Sequence, residues 1–197
     1  RDPEDGQTKT RDYTSARLNT KFKGDWLYGR FEIRAKLPGG QGLWPAIWML
    51  PSDWVYGGWA ASGEIDIMEL RGNKPHVLSN AIHFGGQWPN NTHLAHETTG
   101  PDLTAGFHTY ALEWEETELR WFFDGQEVWK NSNWYSENGE YPAPFDQRFH
   151  LLLNVAVGGD FLPNPPPDPG YFPQEMQVDF VRMYQRNADA QTPWSGE

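Results

Sequence analysis

Cysteine is absent from the 197 residues. Disulfide scaffolds, thiolate zinc sites and cysteine nucleophiles are therefore excluded, although this assigns no compartment. Positive charge is scarce: 16 Lys and Arg stand against 27 Asp and Glu, a net of -11. A nucleic-acid binder needs a basic face to displace phosphate counterions, and an anionic membrane surface selects for the same sign. Neither partner is expected. Long apolar runs are also missing. The longest, 151–153 continued by 155–157, is broken by Asn154 and is too short for a bilayer. No charged-then-apolar leader opens the sequence, so it does not read as a precursor carrying its signal peptide. No stretch keeps a 3.6-residue apolar period, and 20 Gly with 16 Pro discourage long helices.

What the chain has is tryptophan: 11 of them, in an aromatic total of 15%. An acidic, turn-rich chain with this many rings suggests a β protein that stacks a flat ligand. Sugars are such ligands, because their C–H faces pack on rings while their hydroxyls need polar partners. Strand patterns recur throughout. In 28–37, Phe31, Ile33, Ala35 and Leu37 alternate with Arg30, Glu32, Arg34 and Lys36, as in a half-exposed strand. The run 43–50 is apolar on both faces and reads as central. Its Pro45 cannot donate to a ladder, so a start nearer Ala46 or a bulge is expected. Further strands are predicted over 63–70, 77–84, 107–115, 118–123, 126–130, 149–157 and 176–185. Asp124-Gly125 is a two-residue hairpin signal between the fourth and fifth of these seven runs, 118–123 and 126–130. The proline-rich 161–172 reads as a stiff loop, and at most 145–148 makes a turn of helix. Many short antiparallel strands and no dividing linker predict a single all-β domain, a two-sheet antiparallel β-sandwich of jelly-roll type.

The most informative segment is ASGEIDIMELRGN, 61–73. Side chains alternate along a strand, so Glu64 and Asp66 share one face while Ile65 and Ile67 share the other. Strict alternation would send Glu69 into the core, where a charge is costly. A β-bulge near Ile67 or Met68 resets the phase and returns Glu69 to the acidic face. Three acids on one face repel one another, which points to function or a shared proton. A retaining glycosidase needs a carboxyl pair about 5–5.5 Å apart, reachable only on an inward-curving face. A solvated acidic face and a calcium site remain the alternatives at this point.

EIDIME at 64–69 resembles the catalytic strand of glycoside hydrolase family 16, in the bulged form of laminarinases (endo-β-1,3-glucanases). Other stretches agree: YTSARLNTK at 13–21, YGRFEIRAKLP at 28–38 and LWPAIWMLP at 43–51. FHTYALEW at 107–114, LNVAVGG at 153–159 and FPQEMQVDFVRMYQ at 172–185 extend the likeness to nearly the whole chain. The resemblance implies a concanavalin-like fold with a catalytic domain over 13–186. A polar loop or hairpin end over 1–12 precedes it, and a tail over 187–197 follows. Members begin with further N-terminal strands, so such a segment is expected to be missing here.

The resemblance also implies roles. Glu64 matches the nucleophile, Glu69 the general acid and then base, and Asp66 the group that holds Glu64's charge. Trp44 and Trp48 are placed on the cleft face, with Trp59 as a cleft wall. His83 would bond Glu69 or a sugar hydroxyl. Asn154 must bond something, with a sugar or the surroundings of Glu69 as candidates. Arg17 matches a glycone-side arginine. Arg71 and Asn73 are placed toward the aglycone side, and Trp88 at the end of the cleft. His93, His96 and Glu97 lack the spacing of a zinc helix and read as a surface loop. Asp179 resembles a calcium ligand on the opposite side, so a structural calcium is implied, while catalysis needs no cofactor. Asn90-Asn91-Thr92 is a formal glycosylation sequon. The expected activity is retaining endo-hydrolysis of β-1,3-glucan by a secreted monomer. Mixed-linkage β-1,3-1,4-glucan, an algal galactan, or mere glucan binding by a lectin-like module are the alternatives.

Overall fold

The structure, a computed structural model, describes residues 10, 12–161 and 165–186. Most of the opening stretch 1–12 and all of the tail 187–197 lie outside the described residues. Among the described residues twelve strands follow in order: β1 (Arg17–Asn19), β2 (Asp25–Trp26), β3 (Gly29–Lys36), β4 (Leu43–Pro51), β5 (Glu64–Glu69), β6 (Val77–Gly85), β7 (Asn91–Thr99), β8 (His108–Trp114), β9 (Leu119–Phe123), β10 (Gln126–Asn131), β11 (Phe149–Val157) and β12 (Gln177–Tyr184). One sheet has the order β1-β11-β4-β5-β6-β7, with β2 joining β11 beside β1; the other has β10-β9-β8-β3-β12. Every named strand pair is antiparallel. The chain crosses between sheets around β3, after β7 and around β11, so the sandwich is of the jelly-roll kind predicted. No helix among the described residues is long and apolar enough to cross a membrane.

The alternation in β3 is met residue by residue. Phe31, Ile33 and Ala35 are at most 1% exposed, and Arg30, Glu32, Arg34 and Lys36 are half-buried on the outer face. They meet Leu112, Trp114 and Trp121 of their own sheet and Ile47, Met49, Ile65 and Ile67 of the other. Asp124 and Gly125 both take positive φ, 46° and 81°, as a tight hairpin requires. Three expectations are corrected. β4 begins at Leu43, ahead of Pro45. The Pro45 carbonyl accepts from the Leu70 N–H just past the end of β5. Its nitrogen faces the same side, where pairing is ending, so little is lost. The segment 145–148 is a run of bends with no helix. The supposed loop at His93–Glu97 is strand β7, the edge of the larger sheet.

Apolar side chains stand exposed on the other edges. Leu18 in β1 is 66% exposed, and Val178 and Val181 in β12 are 40% and 45% exposed. Between these edges lies a groove of about 350 Å³ lined by Leu18, Leu43, Leu153, Val155, Phe172 and Val178.

Candidate active site

The acid row of β5 is set by its bulge. Toward β6, Asp66 lies opposite Ala81 and Glu69 opposite Ser79, so three steps on β5 match two on β6. Toward β4, Asp66 lies opposite Trp48 and Met68 opposite Ile47, two steps against one. The extra residue between them is Ile67, within the predicted window. Ile65, Ile67 and Met68 are 0–1% exposed in the core, while Glu64, Asp66 and Glu69 all line one cavity on the far face. A bulge frees backbone carbonyls, and side chains take them up here. Asn80 Nδ2 donates to the Ile67 carbonyl at 2.7 Å, and Trp121 Nε1 donates to the Asp66 carbonyl at 2.9 Å. Gly63 enters the strand at φ +86°, and a Cβ there would lie 2.9 Å from Phe145. Only glycine suits that conformation and that space.

Each glutamate is held by an indole. Trp59 Nε1 donates to Glu64 Oε2 at 2.6 Å, and Trp44 Nε1 donates to Glu69 Oε1 at 2.9 Å. Asp66 is 3% exposed, and its Oδ2 accepts no hydrogen bond. Burial raises Glu64 to about 8; the Asp66 charge adds to this, while His83 and the Trp59 N–H oppose it. Burial also raises Asp66, against a hydrogen bond from Glu64. Burial and the Asp66 charge raise Glu69, with Trp44, His83 and Arg71 pulling the other way. The cleft thus retains protons that free carboxyls release near pH 4.5.

This has a consequence for stability. The unfolded chain gives up these protons first, so stability is greatest below the ordinary carboxylate range and falls as pH climbs toward 8. A tenfold change in proton affinity is worth about 1.4 kcal/mol, and each kcal/mol moves Tm by about 2–4 °C in a chain of this size. Glu64→Gln keeps the shape and removes the charge. It is expected to raise Tm by about 10 °C or more at pH 8 and to leave it unchanged at pH 4. Equal melting curves at pH 8 would contradict the burial of this charge.

Two lobes meet at the acids. One, of about 190 Å³, is lined by Arg17, Trp44, Trp48, Asn154 and the three carboxyls. The other, of about 630 Å³, is lined by Trp59, Arg71, His83, Trp88, His93 and Phe161, and it too reaches Trp44, Glu64 and Glu69. Trp44 and Trp48 therefore share the cleft face, as the alternation of β4 required. Asn154 accepts from Trp48 Nε1 at 2.8 Å, and Arg17 lies 5.1 Å over the Trp48 ring. His83 lines the larger lobe, so a sugar hydroxyl stays within its reach, but the expected bond to Glu69 is not made. Its Nε2 stands 3.4 Å from Asp66 and 3.9 Å from Glu64, because β5 and β6 pair it opposite Glu64 and away from Glu69. Arg71 reaches the cleft, paired with Glu97 and lying over Phe161 at 4.5 Å. Asn73 does not: it lines a separate groove with Gly40, Thr104 and Tyr171. Sequence reasoning also missed Asn80, Trp121, His93 and Phe161, whose ring stacks on Trp44 at 4.9 Å.

The described residues do not complete a calcium site around Asp179. Its Oδ2 is committed to Arg34 Nη1 at 2.6 Å, so a guanidinium occupies the place of a cation. Among the described residues Asp179 belongs to no cluster of three or more His, Asp or Glu side chains. Calcium needs six to eight oxygens.

The profile of Glycosyl hydrolases family 16 matches residues 3–166. A glucan endo-1,3-beta-glucosidase A1 from Niallia circulans is 48% identical over 179 residues, which cover 87% of this chain and 26% of that protein. A beta-glucanase from Rhodothermus marinus is 45% identical over 184 residues, covering 88% of this chain and 63% of that one. The chain therefore spans about a quarter of the first relative and under two thirds of the second. The X-ray structure of the laminarinase from Rhodothermus marinus superposes with a TM-score of 0.81 at 42% identity, over 91% of this chain and 74% of that one. With its bulged acid strand and two-sheet fold, this chain belongs to glycosyl hydrolase family 16.

Proposed function

We propose that the chain is the catalytic domain of a retaining, endo-acting hydrolase of β-1,3-glucan of the laminarin type. The observation that carries this is a cleft continuing on both sides of a buried carboxyl row. An endo-enzyme must seat sugar on either side of the bond it breaks. The β-1,3-glucan choice draws on the activities named for the Niallia and Rhodothermus relatives.

In the first step Glu64, its proton ceded to Asp66, attacks the anomeric carbon. Glu69 gives its proton to the glycosidic oxygen, and the leaving chain departs. Forming the ester removes Glu64's charge. That lowers the electrostatic cost of ionising Glu69, which then takes a proton from water as the water attacks. Two inversions return the β-configuration. The indoles of Trp44 and Trp59 hold the two carboxyls in line, and Trp48, under Arg17, offers a ring face to the glycone. The chemistry uses water and these side chains, with no cofactor. A polymer substrate lies outside the cell, so the protein is read as secreted, acting as a monomer.

Incubation with laminarin, lichenan and agarose, followed by reducing-end assay, tests this. Laminarin should yield oligosaccharides of intermediate length early, and proton NMR should show the β-anomer first. An α-anomer first would exclude retention. Faster cleavage of lichenan or agarose would move the substrate to mixed-linkage glucan or galactan. Binding of laminarin without any cleavage would leave only a lectin-like module.

A further inference from the structure

We propose that Glu64, Asp66 and His83 form a binding site for a borderline transition-metal dication, typified by Zn²⁺, and that its occupancy reversibly closes the cleft. The inference goes beyond hydrolysis and does not depend on which glycan is cut. One donor atom from each of the three residues lies within 4.8 Å of the others. His83 Nε2 is 3.4 Å from Asp66 Oδ2 and 3.9 Å from Glu64 Oε1. Tetrahedral zinc with bonds of about 2.0–2.1 Å sets its donors about 3.4 Å apart. The histidine–aspartate spacing already matches, and the histidine–glutamate spacing of 3.9 Å must close by about 0.5 Å.

Two features make this more than a group of acids. Asp66 is 97% buried by the 3% exposure of its surface, and its Oδ2 faces His83 with no hydrogen bond of its own. An ion would satisfy that oxygen. The donors are also fixed by backbone pairing, since Glu64 and His83 are direct partners across β5 and β6. The nitrogen donor sets the metal class. Imidazole with two carboxylates favours zinc or copper, whereas magnesium and calcium prefer an all-oxygen shell. Glu64 and His83 also line the lobe that holds Trp59 and Trp88, from which water could supply a fourth ligand. A metal there would tie up Glu64 and stand where sugar must lie.

Isothermal titration with zinc chloride in a non-coordinating buffer tests the site. One saturable site is expected in the unaltered protein. His83→Ala and Glu64→Gln should each weaken it about tenfold or more. Laminarin oligosaccharide and Zn²⁺ should each reduce binding of the other, and magnesium chloride should give no matching heat. Thermal melts establish that each variant folds, and the isosteric Glu64→Gln carries the test if His83→Ala does not. Absence of saturable heat would overturn the proposal. So would zinc binding unchanged in a folded variant, or Mg²⁺ binding equally through the same residues. Hydrolysis is measured in metal-free buffer, so failure of either reading leaves the other standing.

Discussion

Glu64→Ser is expected to lower kcat on laminarin by about 10⁴-fold or more while laminarin is still bound. The loss is large because the variant lacks the atom that forms the covalent bond, and water entering its place is a weak nucleophile with no base beside it. The same variant offers a positive test. Serine leaves space where the carboxylate stood, and azide entering that space can displace an activated aryl leaving group. Attack from that face inverts the centre, so the product should be an α-glycosyl azide. Glu69→Ala keeps the nucleophile and loses the acid. With the same aryl substrate it should still form the glycosyl-enzyme, and azide should then give the β-glycosyl azide. If the two configurations came out exchanged, the roles of Glu64 and Glu69 would be reversed. If Glu64→Ser kept full activity, the carboxyl row would not be the reacting centre.

The acid row was legible because the cost of a buried charge is large enough to decide a register. Strict alternation would have put Glu69 in the core beside Ile65 and Ile67, and no sequence this regular tolerates that without a slip. β3 was legible for the simpler reason that its period-two pattern is uninterrupted. β7 was not. NTHLAHETT carries one large apolar residue, Leu94, and an edge strand beside a wet cleft needs no more. With β7 taken as a loop, His93 and Glu97 could not be placed on the cleft face, nor His96 against Trp129, on which it stacks at 5.9 Å. The partner of His83 was misplaced because cross-strand register is a tertiary fact. Nothing local tells whether His83 faces Glu64 or Glu69. Asn80 is a different case. It interrupts the apolar run of 77–84 just as Asn154 interrupts 151–157, and the rule that a buried amide must bond something applies equally to both.

Asn80 carries the second large expected effect. It is 1% exposed on the core side of β6, and its amide is what the bulge carbonyl of Ile67 accepts from. Trp121 reaches the neighbouring Asp66 carbonyl from the opposite sheet. Together they hold the slipped register in which Glu69 faces the cleft. Asn80→Leu keeps the number and branching of side-chain heavy atoms, with somewhat bulkier methyl groups, and removes the donor. Leaving the Ile67 carbonyl unpaired costs about 1–3 kcal/mol, and the added apolar burial offsets part of that. Tm should therefore change little. The carboxyl geometry should suffer more, since a displacement of about 1 Å at reacting groups costs roughly 10²-fold in rate. The expected result is a kcat on laminarin lower by about 10²-fold, with KM nearly unchanged because the cleft-lining rings stay in place. Trp121→Phe should act in the same direction. The two acting together should cost less than the product of their separate losses, since each releases the same bulge. A folded Asn80→Leu variant with unaltered kcat would mean that the register of β5 is fixed by its core contacts alone, and that the hydrogen bond to Ile67 merely follows the bulge.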